Sequence, residues 1–126
     1  MEYKHIGGLT PDGTIYVNDD MGTLEAMLPP GKYATAHAPA LLELDNGDLL
    51  CAWFAGSFEG SKDISIVCAR KEKESDHWEE PVAVSCDPER SEQNPSLFLG
   101  PDGAVWCMYT AQLDRVEGKD NMQFTS

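Results

Sequence analysis

Residues 37–55 and 93–111 align without a gap, and this internal repeat constrains the fold more than any single residue does. The first copy runs from His37 to Ala55 and the second from Gln93 to Ala111. Pro39 and Pro95, Leu41 and Leu97, Gly47 and Gly103, and Cys51 and Cys107 all lie 56 positions apart. A period near ~50 residues built from strands and turns marks a β-propeller blade. A chain of 126 residues holds about two such modules. The expected class is therefore all-β, with blades of four antiparallel strands.

The first copy supplies its own strand boundaries. Ala38 to Leu44 is an apolar run closed by Asp45-Asn46-Gly47, a tight-turn signal, and Asp48 to Ala55 returns as a second strand. That returning strand is apolar at nearly every position after Asp48, a pattern of burial on both faces rather than of a surface hairpin. Asp63–Arg70 reads as the third strand and Pro81–Ser85 as the fourth, with a loop over residues 56–62. In the second copy, strands are expected at Ser96–Leu99, Val105–Ala111 and Met122–Ser126. This divides the chain into an N-terminal segment (1–35), a first blade (36–92) and a truncated second blade (93–126). Within the N-terminal segment, Thr10–Val17 reads as a turn and a short strand, while Met21–Leu28 has the composition for a turn or two of helix.

Charge narrows the range of partners. The chain carries 22 acidic against 9 basic residues, a net charge of −13. Nucleic acid and anionic membrane surfaces would be repelled, whereas a small anionic ligand held by a few local cations is not excluded. There is no apolar run of signal-peptide length at the start, and no stretch approaches the ~20 residues that cross a bilayer. Cys51, Cys68, Cys86 and Cys107 lack CxxC spacing, and three of them sit in apolar strands, which points to buried free thiols. A reducing, cytoplasmic setting is expected, with no cofactor and no metal ion. Two blades alone would leave flanking faces uncovered, so the chain is expected to self-associate.

The stretch from His37 to Gly60 resembles the opening blade of the sialidase (neuraminidase) superfamily. It is similar to bacterial members with BNR or Asp-box repeats. The likeness continues through Asp63–Arg70, Trp78-Glu79-Glu80-Pro81 and Asn94–Phe98, and covers about residues 36 to 126. It implies a six-bladed propeller of which this chain corresponds to the N-terminal third. Two positions depart from the family pattern. The Arg-Ile-Pro motif, whose arginine clamps the substrate carboxylate, is matched here by His37-Ala38-Pro39. The Asp-box, Ser-x-Asp-x-Gly-x-Thr-Trp, falls on Lys71–Trp78 and keeps only Trp78.

Blade topology sorts the candidate residues onto one end. His37 starts the first strand and Glu59 follows the second, so both belong to the end opposite the Asn46-Gly47 turn. Arg90, Asn94 and Arg115 fall on the same end of the second copy. Glu59 stands where the resemblance implies a general-acid carboxyl, and in a dry environment its raised pKa would let it protonate a glycosidic oxygen; the alternative is a solvated loop acceptor. His37 is either a proton shuttle or sugar contact, or a histidine held by a loop hydrogen bond. Asp63 either contacts substrate or caps the third-strand loop. Arg90 and Arg115 can fork a carboxylate bidentately, or serve as surface charge. Trp78 reads as a packed corner, and Trp53, Trp106 and Tyr109 as inter-blade core. The family's nucleophile, a tyrosine activated by a glutamate, belongs to later blades.

Together these readings imply a sialidase-like glycoside hydrolase acting on terminal sugars of a carbohydrate substrate by carboxylate acid–base chemistry, inactive as the isolated 126 residues. The alternatives are a polysaccharide lyase acting on uronate-containing glycans and a non-catalytic propeller that binds glycans or protein.

Overall fold

The computed structural model describes residues 3–5, 9–113 and 124–125, and among them every regular element is a strand. Three sheets follow one another along the chain. The N-terminal sheet orders β1 (Lys4–His5), β2 (Ile15–Asn18) and β3 (Thr23–Ala26), with β1 parallel to β2 and β2 antiparallel to β3. The first blade is the antiparallel sheet β4 (Thr35–Glu43), β5 (Leu49–Gly56), β6 (Ser65–Lys71) and β7 (Val82–Ala83). The second blade contains β8 (Arg90–Leu99), β9 (Val105–Leu113) and β10 (Phe124–Thr125), with β9 in the middle.

The repeat survives as backbone geometry. Leu41 pairs with Cys51 as Leu97 pairs with Cys107, and Thr35 pairs with Gly56 as Ser91 pairs with Gln112. Both innermost strands carry an irregularity at the same place, between His37 and Ala40 and between Gln93 and Ser96. Ala38 and Asn94, 56 positions apart, both take φ 54, and they are the two non-glycine residues with positive φ among the described residues. The connecting turns also match. Asn46 Oδ1 accepts the Asp48 N–H at 3.0 Å, and Asp102 Oδ1 accepts the Ala104 N–H at 3.0 Å. Each turn places its glycine, Gly47 or Gly103, at positive φ, where a side chain would be strained.

Burial on the two faces of β5 explains its unbroken apolar sequence. On one face, Cys51, Trp53 and Ala55 pack with Val67, Ala69 and Trp78; on the other, Ala52 and Phe54 pack with Ile64 and Ile66. Blade two covers the second face through Leu97 and Cys107. The first face is covered by Ala26, Leu28 and Tyr33, so the N-terminal segment occupies the place a preceding blade would take. This corrects the expectation that both flanks of the pair stand open. Backbone bonds fasten the cover: Gly13 N–H to Met27 O, Ile15 N–H to Asp76 O, and Trp78 N–H to Gly13 O.

Three further expectations change. Met21–Leu28 contains β3 and no helix. Asn18 Oδ1 accepts the N–H groups of Asp20 and Met21 and closes a hairpin, which outweighs a helix too short to sustain its own nucleation. β8 begins at Arg90 rather than Ser96, because the bulge at Asn94-Pro95 interrupts the strand without ending it. Trp53 and Trp78 are buried, but Trp106 and Tyr109 are exposed: Trp106 lies on the outer side of β9, which nothing among the described residues covers, and Tyr109, on the Cys107 side, borders the open groove at Ser85 and Asp87. Met122 and Ser126 lie outside the described residues; Phe124 and Thr125 between them pair with Gln112 and Ala111.

Candidate functional site

One end of the two blades carries the unusual chemistry. Thr35 opposite Gly56 and Ser91 opposite Gln112 mark this end in each sheet. The Glu92 N–H donates to Ile64 O at 3.2 Å, which sets the start of β8 beside the start of β6. His37, Glu59, Asp63, Arg90 and Asn94 therefore share an end, and the Asn46-Gly47 and Asp102-Gly103 turns lie at the other. Both bulges fall on the loop end. A bulge redirects side chains and bends the strand, and a strained positive φ held in two copies is a recurrent mark of working sites.

His37 is exposed, its ring 5.3 Å from that of Phe54 across the β4–β5 pair. Glu59 is exposed in the loop between β5 and β6, so the described residues do not supply the dry environment a general acid requires. Asp63 is already engaged. Its carboxylate accepts the Ser57 N–H at 3.2 Å and the Ser57 hydroxyl, which folds the loop back on itself. The Ser57 hydroxyl holds the Asp63 carboxyl below the usual range, so it remains an acceptor. Gly56 makes this fold-back possible, since a Cβ there would sit 2.9 Å from Asp63 Oδ1 and 2.8 Å from Ile64 Cδ1. Arg90 is paired with Asp87 at 3.1 Å. Asn94 is exposed at the second bulge. Arg115 lies outside the described residues.

One charged residue at this end, Glu92, escaped the sequence reading, whereas Gln93 was placed here by the repeat. Glu92 is 1% exposed; its carboxylate accepts the Ser85 hydroxyl and, at 3.0 Å, the Asp87 N–H. It ties the end of blade one's outermost strand to the inner strand of blade two. Gln93, the counterpart of His37, is buried and donates to Ser91 Oγ at 2.9 Å. The 56-residue offset could have found Glu92, because it maps Ala36 onto that position. Lys32 and Tyr33 line a groove of about 440 Å³ together with Gly56, Ser57, Asp63 and Ser65. Beside it, a second open groove of about 550 Å³ passes Ser85, Asp87, Glu92 and Tyr109. Burial, followed by the charge of Glu92, pushes the Tyr109 phenol up, which disfavours a nucleophilic phenolate there.

Burial keeps the most enclosed thiol protonated. Cys51 is buried, and burial with Cys68 nearby pushes it up to about 11; Cys68 and Cys107 are half-buried, and Cys86 is exposed. Among the described residues no group of three or more His, Cys, Asp or Glu side chains is arranged to hold a metal ion, and no helix is long and apolar enough to cross a membrane.

Among known families, the BNR repeat-like domain matches the chain over residues 47–126, well over half its length. No curated protein and no solved structure matches.

Proposed function

Because the chain belongs to the BNR repeat-like domain family, we propose that it forms the opening part of a carbohydrate-active, sialidase-like propeller whose substrate sits at the loop end of the blades. One observation carries this reading. The same bulge, with the same positive φ, stands at His37-Ala38-Pro39 and at Asn94-Pro95, on the end that also holds the braced loop of Glu59. In a closed ring, neighbouring blades would remove water from Glu59 and let its carboxyl donate to a glycosidic oxygen, while His37 and Asn94 contact the sugar. His37 cannot reproduce the bidentate fork of an arginine, which favours a substrate other than a terminal sialoside. Arg90 is already held by Asp87 and adds little to an anion clamp.

The test is glycosidase turnover in a closed ring containing this segment. Glu59→Gln should lower kcat by ~10²-fold or more. An unchanged pH–rate profile in that variant removes Glu59 from the mechanism, and release of an unsaturated product absorbing in the near ultraviolet makes the reaction a lyase instead. The exposure of Glu59 favours a second reading for the 126 residues alone, in which they bind sugar without turning it over.

A further inference from the structure

The groove beside the Glu59 loop has a charge pattern of its own. Among the described residues its charged lining is Lys32, just ahead of β4, and Asp63, just ahead of β6. Strands β4 and β6 flank β5, so the segments that carry the two residues enter on opposite sides of it. Tyr33 forms an anchored wall of the groove: its side chain packs against the core formed by Trp53 and Trp78, and it is half-buried. The Lys32 ammonium lies 5.9 Å from the Tyr33 ring centre and has no carboxylate partner among the described residues. Asp63 is fixed by Ser57 yet retains acceptor capacity on both oxygens, because an ionised carboxylate has about four lone-pair sites. A cation beside an aromatic wall, with a fixed acceptor in the same groove, fits a ligand that carries an anion, an apolar ring face and hydroxyls.

We propose that this groove binds a hexuronate residue of a glycan, with Lys32 meeting the sugar carboxylate, Tyr33 lying against the ring and Asp63 accepting hydroxyl protons. This rests on the glycan-binding reading and deepens it by naming the sugar class. A neutral hexose would leave Lys32 without a role, and a cationic ligand would be repelled by it. On a chain of net charge −13, a local cation in the groove is what makes an anionic sugar bindable there.

The experiment uses the 126-residue chain, labelled with ¹⁵N, titrated with a glucuronate-containing tetrasaccharide and with its carboxyl-reduced counterpart. Shifts of the Tyr33, Ser57 and Asp63 amides report binding. The acidic form should bind ~10-fold or more tightly than the reduced form, and the preference should fade with added salt. Lys32→Met should abolish the preference by weakening the acidic form selectively, and Lys32→Arg should retain it. If the wild type binds both forms equally, or Lys32→Met keeps the preference, the groove does not read a carboxylate, although the glycan reading stands. If neither sugar moves a groove amide in a chain whose spectrum is folded, the groove proposal fails, and sugar binding by the 126 residues alone fails with it.

Discussion

Trp53 and Tyr109 occupy the same position of the repeat, on central strands paired in the same register, yet Trp53 is 6% exposed and Tyr109 41%. Local backbone design does not separate the two blades, since turn, bulge and ladder are common to both. Neighbours separate them. Trp53 is covered by Ala26, Leu28 and Tyr33 of the N-terminal segment, whereas Tyr109, on the side of β9 that faces blade one, borders an open groove at Ser85 and Asp87; the outer side of blade two in turn presents Trp106 at 53% and Met108 at 62% exposure. Sequence repetition thus sets the sheet, and position in the stack decides how much each side chain contributes to stability.

The largest contrast should come from truncating the equivalent aromatics. Trp53→Ala removes a buried ring from the cluster with Val67 and Trp78 and should cost about 3–5 kcal/mol. Tyr109→Ala, on a partly open face, should cost about 1 kcal/mol. Urea unfolding of both variants measures the gap. Equal costs would mean that Tyr109 is covered in solution, and the contrast between the blades would collapse.

A second contrast lies at the turn end. Asp48 is buried and accepts from Arg70 Nε at 2.9 Å, from its Nη2 and from the Lys73 N–H at 2.9 Å, bolting the first turn to the end of β6. Ala104 stands at this place in blade two. Arg70, as the leading cause, holds the Asp48 carboxyl below its ordinary value. The stability it adds is therefore fully present above the unfolded carboxylate value near ~4 and is lost as pH falls through the lower folded value. Asp48→Asn should lower Tm at pH 7 and flatten its decline on the acid side. Some slope should remain, because Asp12, Asp63, Asp76 and Asp87 are also shifted down. A melting series from pH 7 to pH 2 checks this, and an acid limb identical to wild type would show that the bolt contributes nothing.

Blade one was legible because its signals are local. Asn46-Gly47 dictates a hairpin, and the apolar run of β5 dictates burial on both sides. What covers β5 was not legible: Ala26, Leu28 and Tyr33 show no periodicity, and their partners lie dozens of residues away. Glu92 was missed for a related reason. Ser91-Glu92-Gln93 looks like a polar loop until the bulge is recognised, after which it becomes the buried beginning of β8. At the candidate site, topology placed His37, Glu59 and Asn94 on one end. The engagement of Asp63 by Ser57 and of Arg90 by Asp87 depends on how loops close, which spacing does not encode.

The smallest expected effect bears most directly on the site. Ala38 and Asn94 share φ 54, but they differ in how well they tolerate it. A Cβ in the left-handed region crowds the following carbonyl at a cost of roughly 1–2 kcal/mol, and asparagine offsets part of that through local hydrogen bonding. Glycine removes the clash but adds freedom to the unfolded chain, so the net gain is smaller than the clash itself. Ala38→Gly should therefore stabilise the chain by about 0.5–1 kcal/mol and Asn94→Gly by a few tenths, read as a rise in Tm of a few degrees against almost none. A destabilising Ala38→Gly would mean that contacts of the methyl group hold the first bulge. The two bulges would then be alike in angle but not in cause, and the strain shared by both blades could no longer be read as a mark of one site.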